Sequence, residues 1–158
     1  MKLELKNVKL NKALSDETDC FSATLYAEGK RVATVANRGC GGDNEYNVID
    51  KIMFEAVKTY AYGLPDRVSK TIEGFRYSVD VDMLVEDLIY EKQIRDDFKK
   101  KNKGKTAYRK NGHDYMVGEY HRLNAPDTDP RVANYLMEND ASILSVETII
   151  EEMRDKSI

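Results

Sequence analysis

The fold of this chain is decided by residues 21–63, which read FSATLYAEGKRVATVANRGCGGDNEYNVIDKIMFEAVKTYAYG. Apolar and polar residues alternate over residues 21–26, which is the period of two expected of a half-buried strand. A second β-prone run covers residues 32–36, and Glu28-Gly29 between the two runs suits a two-residue turn. The stretch therefore opens with an antiparallel hairpin. Its predicted cross-strand pairs are Leu25–Val32, Ala23–Thr34 and Phe21–Ala36.

A helix is predicted in the second half of this stretch, where apolar residues recur at the helical period. Asp43 or Asn44 is expected to cap the start of the helix. The helix is expected to end at Gly63, because glycine followed closely by a proline, here Pro65, commonly stops a helix. The predicted buried stripe consists of Tyr46, Ile49, Met53, Ala56 and Tyr60.

A glycine-rich loop lies between the hairpin and this helix at residues 39–42. Backbone N–H groups of such a turn, together with the start of a helix, can hold a phosphate group. Arg38 would pair with the phosphate, and a tyrosine would stack on an attached base. The alternative is a tight connection that only needs positive φ angles. The predicted ligand-binding residues are Arg38, Gly39, Gly41, Gly42, Asn44 and Tyr46.

Other segments add a strand, a helix and a second hairpin to this arrangement. Residues 2–10 read as a strand with a bulge near Lys6-Asn7, which makes the N-terminal third a three-stranded antiparallel meander. A second helix is predicted to begin near Asp80 or Asp82. Asn111-Gly112 is expected to be the two-residue turn of a second β-hairpin. The pairs predicted from that turn are Lys110–His113, Arg109–Asp114 and Tyr108–Tyr115.

Two C-terminal helices complete the predicted fold. Asp129 is expected to cap the first of them, with Pro130 as its first helical residue. Ser145 is expected to cap the second. The sequence therefore predicts an α+β fold with a three-stranded meander, two helices, a second β-hairpin and two final helices. The length of 158 residues predicts one domain, residues 1–158.

Composition, net charge and the absence of targeting segments limit the class of protein. Charged residues make up 34% and hydrophobic residues 41%, which are ordinary values for a soluble globular protein. The net charge of -3 argues against a dedicated binder of duplex DNA. No signal peptide and no run long enough to span a membrane is visible, so we expect a location in the cytoplasm of a host cell.

No catalytic, metal-binding or cofactor-binding motif is recognisable in the sequence. The patterns GxSxG and HExxH are absent, and the two cysteines show no CxxC spacing. Tyr120, His121 and Arg122 are secondary candidates for a binding surface, although on a strand His121 would face away from its two neighbours. The lysines of residues 99–105 are expected to be a solvated helix end, with contact to nucleic acid as the alternative.

Two segments carry a resemblance to a known kind of protein. The motifs are ETxCFxAxLYxxGK at residues 17–30 and NxGxGGxN at residues 37–44. Together they resemble small uncharacterised proteins encoded by phages and mobile elements. Those proteins often keep a histidine between the glycines where this chain has Cys40. The resemblance implies an accessory role, of which counter-defence is the commonest among small phage proteins.

Three functional hypotheses follow from these observations. The first is a counter-defence protein that sequesters a small phosphate-bearing nucleotide, such as a cyclic signal, without catalysis. The second is an inhibitor that binds a host defence protein through an acidic surface or a strand edge. The third is a nucleotide-cleaving enzyme. Homo-oligomers are also predicted, because an exposed sheet edge invites pairing with another chain.

Overall fold

A computed structural model of the protein describes residues 1–69 and 71–155. The chain has an α+β fold, as the sequence predicts. Its contacts divide it into two compact units, Met1–Tyr90 and the chain from Glu91 onward. That the whole chain forms a single domain stays a prediction.

The first unit contains a four-stranded antiparallel sheet. In spatial order its strands are β1 (Leu3–Leu10), β2 (Phe21–Ala27), β3 (Lys30–Asn37) and β4 (Glu45–Val48). The predicted three-stranded meander is confirmed as β1 to β3, and β4 adds a strand that the sequence did not indicate. The predicted bulge in β1 is also confirmed, since the register shifts between Lys6 and Lys9 and Asn7 has a φ of 53°.

The hairpin of β2 and β3 has the predicted turn but a different register. Ala27 pairs with Lys30, as a turn at Glu28-Gly29 requires, yet the register then shifts by one residue at Val32. The Val32 carbonyl accepts the backbone N–H groups of Ile49, at 2.8 Å, and Asp50, at 3.0 Å. The predicted pairs were wrong because this bulge is held by a distant segment of the chain. The observed pairs are Leu25–Ala33, Ala23–Val35 and Phe21–Asn37.

The first helix, α1 (Lys51–Tyr62), begins later than predicted. Its N-cap is Asp50, whose carboxylate accepts the Met53 backbone N–H at 3.0 Å. Residues assigned to the helix start form β4 instead, so Tyr46 is a strand residue and the predicted stripe is wrong. The predicted end is confirmed, because Gly63 is the C-cap. The buried helical residues are Phe54, Val57 and Ala61.

A second long helix, α2 (Val81–Lys101), begins where the sequence predicts. Before it, β5 (Arg67–Val68) and β6 (Arg76–Tyr77) form a short antiparallel pair. The core of the first unit joins one face of the sheet to α1 and to the first turns of α2. Its buried residues are Phe21, Ala23, Leu25, Ala27, Val32, Ala33, Val35, Phe54, Val57, Ala61, Val81, Val85 and Ile89.

The second unit contains a three-stranded antiparallel sheet with β7 (Thr106–Lys110) at its centre. On one side β7 pairs with β8 (His121–Leu123), and on the other with β9 (Ala141–Ile143). Asn111-Gly112 is therefore not a two-residue hairpin turn, and the pairs predicted from it are wrong. The reason is tertiary: the Asn111 N–H donates to the Asp140 carbonyl at 2.7 Å, which directs the turn toward β9.

Two helices, α3 (Pro130–Glu138) and α4 (Val146–Asp155), lie in the second unit with the predicted caps. The Asp129 carboxylate accepts the Arg131 N–H at 2.9 Å. The Ser145 hydroxyl accepts the Thr148 N–H at 3.1 Å. None of the helices in the described ranges combines the length and the apolar character that crossing a membrane would require.

The start of α1 gives a direct test of the corrected fold. We expect Asp50→Ala to lower the free energy of unfolding by about 1 kcal/mol, because it removes the N-cap acceptor. The matched control is Asp43→Ala, since Asp43 is exposed and lies outside the helix. Its expected effect is below about 0.5 kcal/mol. Urea unfolding of both variants measures the difference, and an equal loss in the two would contradict the observed helix start.

Candidate functional site

The glycine-rich loop connects two antiparallel strands, β3 and β4, and does not lead into a helix. Gly39, Gly41 and Gly42 have φ values of 85°, 82° and 88°. The Gly39 N–H donates to the Asn37 side-chain oxygen at 2.9 Å, and the Gly41 N–H donates to the Thr18 hydroxyl at 3.3 Å. Two of the amides predicted to hold phosphate are therefore used inside the protein.

The loop also packs closely against the segment that precedes β2. The Gly39 carbonyl accepts the N–H groups of residues 16, 17 and 18 at 2.9, 3.1 and 3.4 Å. A Cβ atom on Gly39 would lie 2.1 Å from the Leu14 carbonyl oxygen. A Cβ atom on Gly41 would lie 2.3 Å from a carboxylate oxygen of Glu17. The protein's own carboxylate thus occupies space beside Gly41, and the loop has the positive φ angles and close packing of a tight connection. That its amides hold a phosphate stays a prediction.

Three further predicted ligand-binding residues also have partners within the first unit. Arg38 pairs with Glu45 at 3.0 Å, and both side chains are exposed. Asn44 is buried and donates to the Asp82 carboxylate at 3.0 Å. Tyr46 donates to the same carboxylate oxygen at 2.6 Å. Burial of Tyr46, together with this bond to Asp82, raises the pKa of its hydroxyl, so Tyr46 stays a neutral donor.

A cavity of about 310 Å³ opens beside this network in the first unit, and we call it the acidic cavity. Its inner wall is formed by buried residues, and its rim by exposed ones. The inner-wall residues are Phe21, Asn37, Asn44 and Ile89. The rim residues are Glu17, Asp19, Glu86 and Tyr90, with Thr18 between the two groups. Of the predicted ligand-binding residues, only Asn44 lines the acidic cavity.

Negative charge dominates the rim of the acidic cavity. Partial burial of Glu86 and the nearby charges of Asp82, Asp80 and Asp87 raise the pKa of its carboxyl group. No lysine, arginine or histidine is among the lining residues, all of which the structure describes. The cavity therefore favours a ligand that donates hydrogen bonds or carries positive charge, and it opposes an anion.

Sequence reasoning missed the three carboxylates of the rim. None of Glu17, Asp19 and Glu86 is among the binding residues predicted from the sequence. A signal did exist, because Glu17 opens the motif that carries the resemblance. Nothing in the sequence, however, indicates that a loop before β2 and the first turns of α2 line one cavity.

The secondary candidates lie in the second unit, at the start of β8. Tyr120 packs against Phe98 with ring centroids 5.5 Å apart. His121 contacts Tyr108 instead, with ring centroids 5.4 Å apart. Arg122 donates to the Lys101 carbonyl at 3.2 Å. Tyr120 and Arg122 thus contact α2, whereas His121 contacts β7, and the predicted alternation along the strand is confirmed.

Comparison with known proteins finds no family model, no curated protein and no solved structure that matches this chain. Within residues 1–69 and 71–155, no group of three or more His, Cys, Asp or Glu side chains is placed to hold a metal ion.

Substitution of two loop glycines separates conformational strain from close packing. Gly42→Ala meets only the strain of a positive φ, since no atom lies within 4 Å of the added carbon, and should cost about 1 kcal/mol. Gly39→Ala adds a clash with the Leu14 carbonyl and should cost at least about 3 kcal/mol. Urea unfolding measures both free energies. Equal losses would show that the loop does not pack as described.

Glu86 gives a pH-dependent prediction. Its pKa is raised in the folded protein, so ionising Glu86 costs more in the folded than in the unfolded chain. Its contribution to stability therefore falls as the pH rises from about 4.5 through the raised folded pKa. We expect Glu86→Gln to raise the melting temperature at pH 7 and to have little effect below about pH 4. Melting curves across this range, with Glu73→Gln as an exposed control, measure the effect.

Proposed function

We propose that this protein binds and sequesters a small nitrogen-rich ligand of the nucleobase class, and that it does so without catalysis. The acidic cavity is the observation that carries this proposal. Its volume of about 310 Å³ lies at the lower end of the range for pockets that hold small molecules. A single base fits that size, whereas a larger cofactor would extend beyond it.

The chemistry of the lining supports a base as the ligand. Carboxylates accept hydrogen bonds from the amino and ring N–H groups of bases, as they do in nucleic-acid recognition. Glu17, Asp19 and Glu86 supply such acceptors at the rim. Tyr90 is 53% exposed, so its ring is available to stack on a flat heterocycle. Phe21 and Ile89 supply the apolar part of the inner wall.

The charge of the rim sets the orientation of a nucleotide. A phosphate inside the acidic cavity would face carboxylates with no cationic side chain among the lining residues. The base would therefore enter the cavity, and any phosphate would point to solvent. This orientation differs from the one predicted from the glycine-rich loop, in which the loop amides held the phosphate.

Sequestration without turnover suits the counter-defence role that the resemblance predicts. The lining residues include no cysteine, histidine or lysine, so any acid or base chemistry in the cavity would fall to the carboxylates, chiefly Glu86 with its raised pKa. Inhibition of a host protein and cleavage of a nucleotide stay predictions from the sequence. The experiment below distinguishes cleavage from simple binding.

Calorimetric titration with the common nucleosides and their 5′-diphosphates tests the proposal. We expect at least one nucleoside to bind, about threefold more tightly than its diphosphate, because the exposed carboxylates repel phosphate modestly. Chromatography of the ligand after denaturing the complex should recover it unchanged. Glu86→Gln should weaken binding, while Glu73→Gln, which alters an exposed carboxylate outside the cavity, should not.

Three results would overturn this reading. The absence of heat with every nucleoside and diphosphate would remove the nucleobase ligand. Recovery of a cleaved product would identify an enzyme. A diphosphate that binds more tightly than its nucleoside would return the phosphate to the glycine-rich loop.

A further inference from the structure

We propose that the basic end of α2 in the second unit is a docking surface for the phosphate backbone of single-stranded nucleic acid. This surface, which we call the lysine end, consists of five lysines and one arginine. Its members are Lys99, Lys100, Lys101, Lys103, Lys105 and Arg122. It is separate from the acidic cavity in residues and in charge, and the inference does not rest on the proposed function.

The lysine end carries cations that form no ion pair with any acidic side chain the structure describes. All five lysines are exposed, and within the described part of the chain none of them forms an ion pair. By contrast, Lys92 and Arg95, about two turns and one turn earlier on the same helix, pair with Asp96 and Glu147. Among the described residues, the cations of α2 thus have acidic partners up to its last turn and lack them at its end.

The helix dipole explains why some of these lysines are favoured at the helix end, but not all of them. Lysines in the last helical turn are stabilised by the helix dipole, and Lys99 to Lys101 occupy that turn. The dipole effect fades within one turn, and Lys103 and Lys105 lie beyond the last helical residue. These two lysines therefore extend the positive surface beyond the range in which the helix dipole stabilises a positive charge.

Two residues at the start of β8, Tyr120 just before it and Arg122 within it, also lie at the lysine end. The Arg122 guanidinium donates to the Lys101 carbonyl at 3.2 Å, which adds a sixth cation at the helix end. The Tyr120 hydroxyl accepts from the Asn102 side-chain amide at 3.1 Å, which places a partly exposed ring beside the lysines. Two of the three secondary candidates from the sequence thus join the lysine end.

This combination fits single-stranded nucleic acid better than other polyanions. Cations that follow a backbone, with an aromatic ring beside them, are the common features of single-strand binding. No exposed apolar residue occurs among residues 99–105, so the surface offers nothing to insert into a membrane. Lysine, as a mobile point charge, binds phosphate without demanding one geometry, which suits binding that is independent of base sequence.

The dependence of binding on salt concentration tests this inference with the full chain. Each phosphate contact to a single strand contributes about -0.7 to the slope of log affinity against log salt concentration. If each of the six cations contacts one phosphate, the expected slope is about -4. Fluorescence anisotropy of a labelled oligothymidylate, titrated at several salt concentrations, measures it. The triple variant Lys100→Ala, Lys101→Ala and Lys103→Ala should reduce the magnitude of the slope by about 2. Arg122→Gln alone should reduce it by about 0.7.

A charge-matched control separates the surface from the net charge. The triple variant Lys9→Ala, Lys12→Ala and Lys51→Ala removes three exposed lysines of the first unit and should leave the slope unchanged. Circular dichroism verifies that each variant is folded.

Four results would overturn the inference. These are no binding at low salt, an equal loss in the two triple variants, tighter binding of a duplex than of the single strand, and binding of polyglutamate or phosphatidylserine vesicles without binding of the oligothymidylate.

Discussion

The first unit depends on the hydrogen bonds that the buried side chain of Asn37 makes. Its oxygen accepts from the Thr18 hydroxyl at 2.7 Å and from the Gly39 N–H at 2.9 Å. Its amide nitrogen donates to the Gly42 carbonyl and to the Asn44 side-chain oxygen, both at 3.2 Å. A carboxamide can make four such bonds, so Asn37 is fully used. It closes the glycine-rich loop and joins the segment before β2 to β4.

This network also determines what the first unit can bind. It continues through Asn44 to the Asp82 carboxylate, which receives the Tyr46 hydroxyl as well. The Gly39 and Gly41 amides of the loop are bonded to Asn37 and Thr18 within this network. The rim carboxylates give the acidic cavity its preference for hydrogen-bond donors and cations.

The two candidate surfaces carry opposite charges, and the net charge of -3 conceals both. The acidic cavity gathers carboxylates from a loop and from the first turns of α2. The lysine end gathers cations from the last turn of α2, from the loop that follows it and from β8. Each surface thus combines residues that are far apart in sequence. A total charge excludes whole classes of partner only when the charge is spread evenly, which it is not in this protein.

The sequence by itself determined the elements whose signals are local. Ser145, Asp129 and Gly63 mark helix ends correctly, because a cap bonds to backbone groups within one turn. Only the tertiary structure decided the bulge at Val32, the strand β4 and the central place of β7. Each of these depends on hydrogen bonds to a segment distant in the chain, which no local periodicity records. The same contrast holds for the candidate site. The glycine-rich loop is recognisable from the sequence, whereas the carboxylates around the cavity are brought together only by the fold.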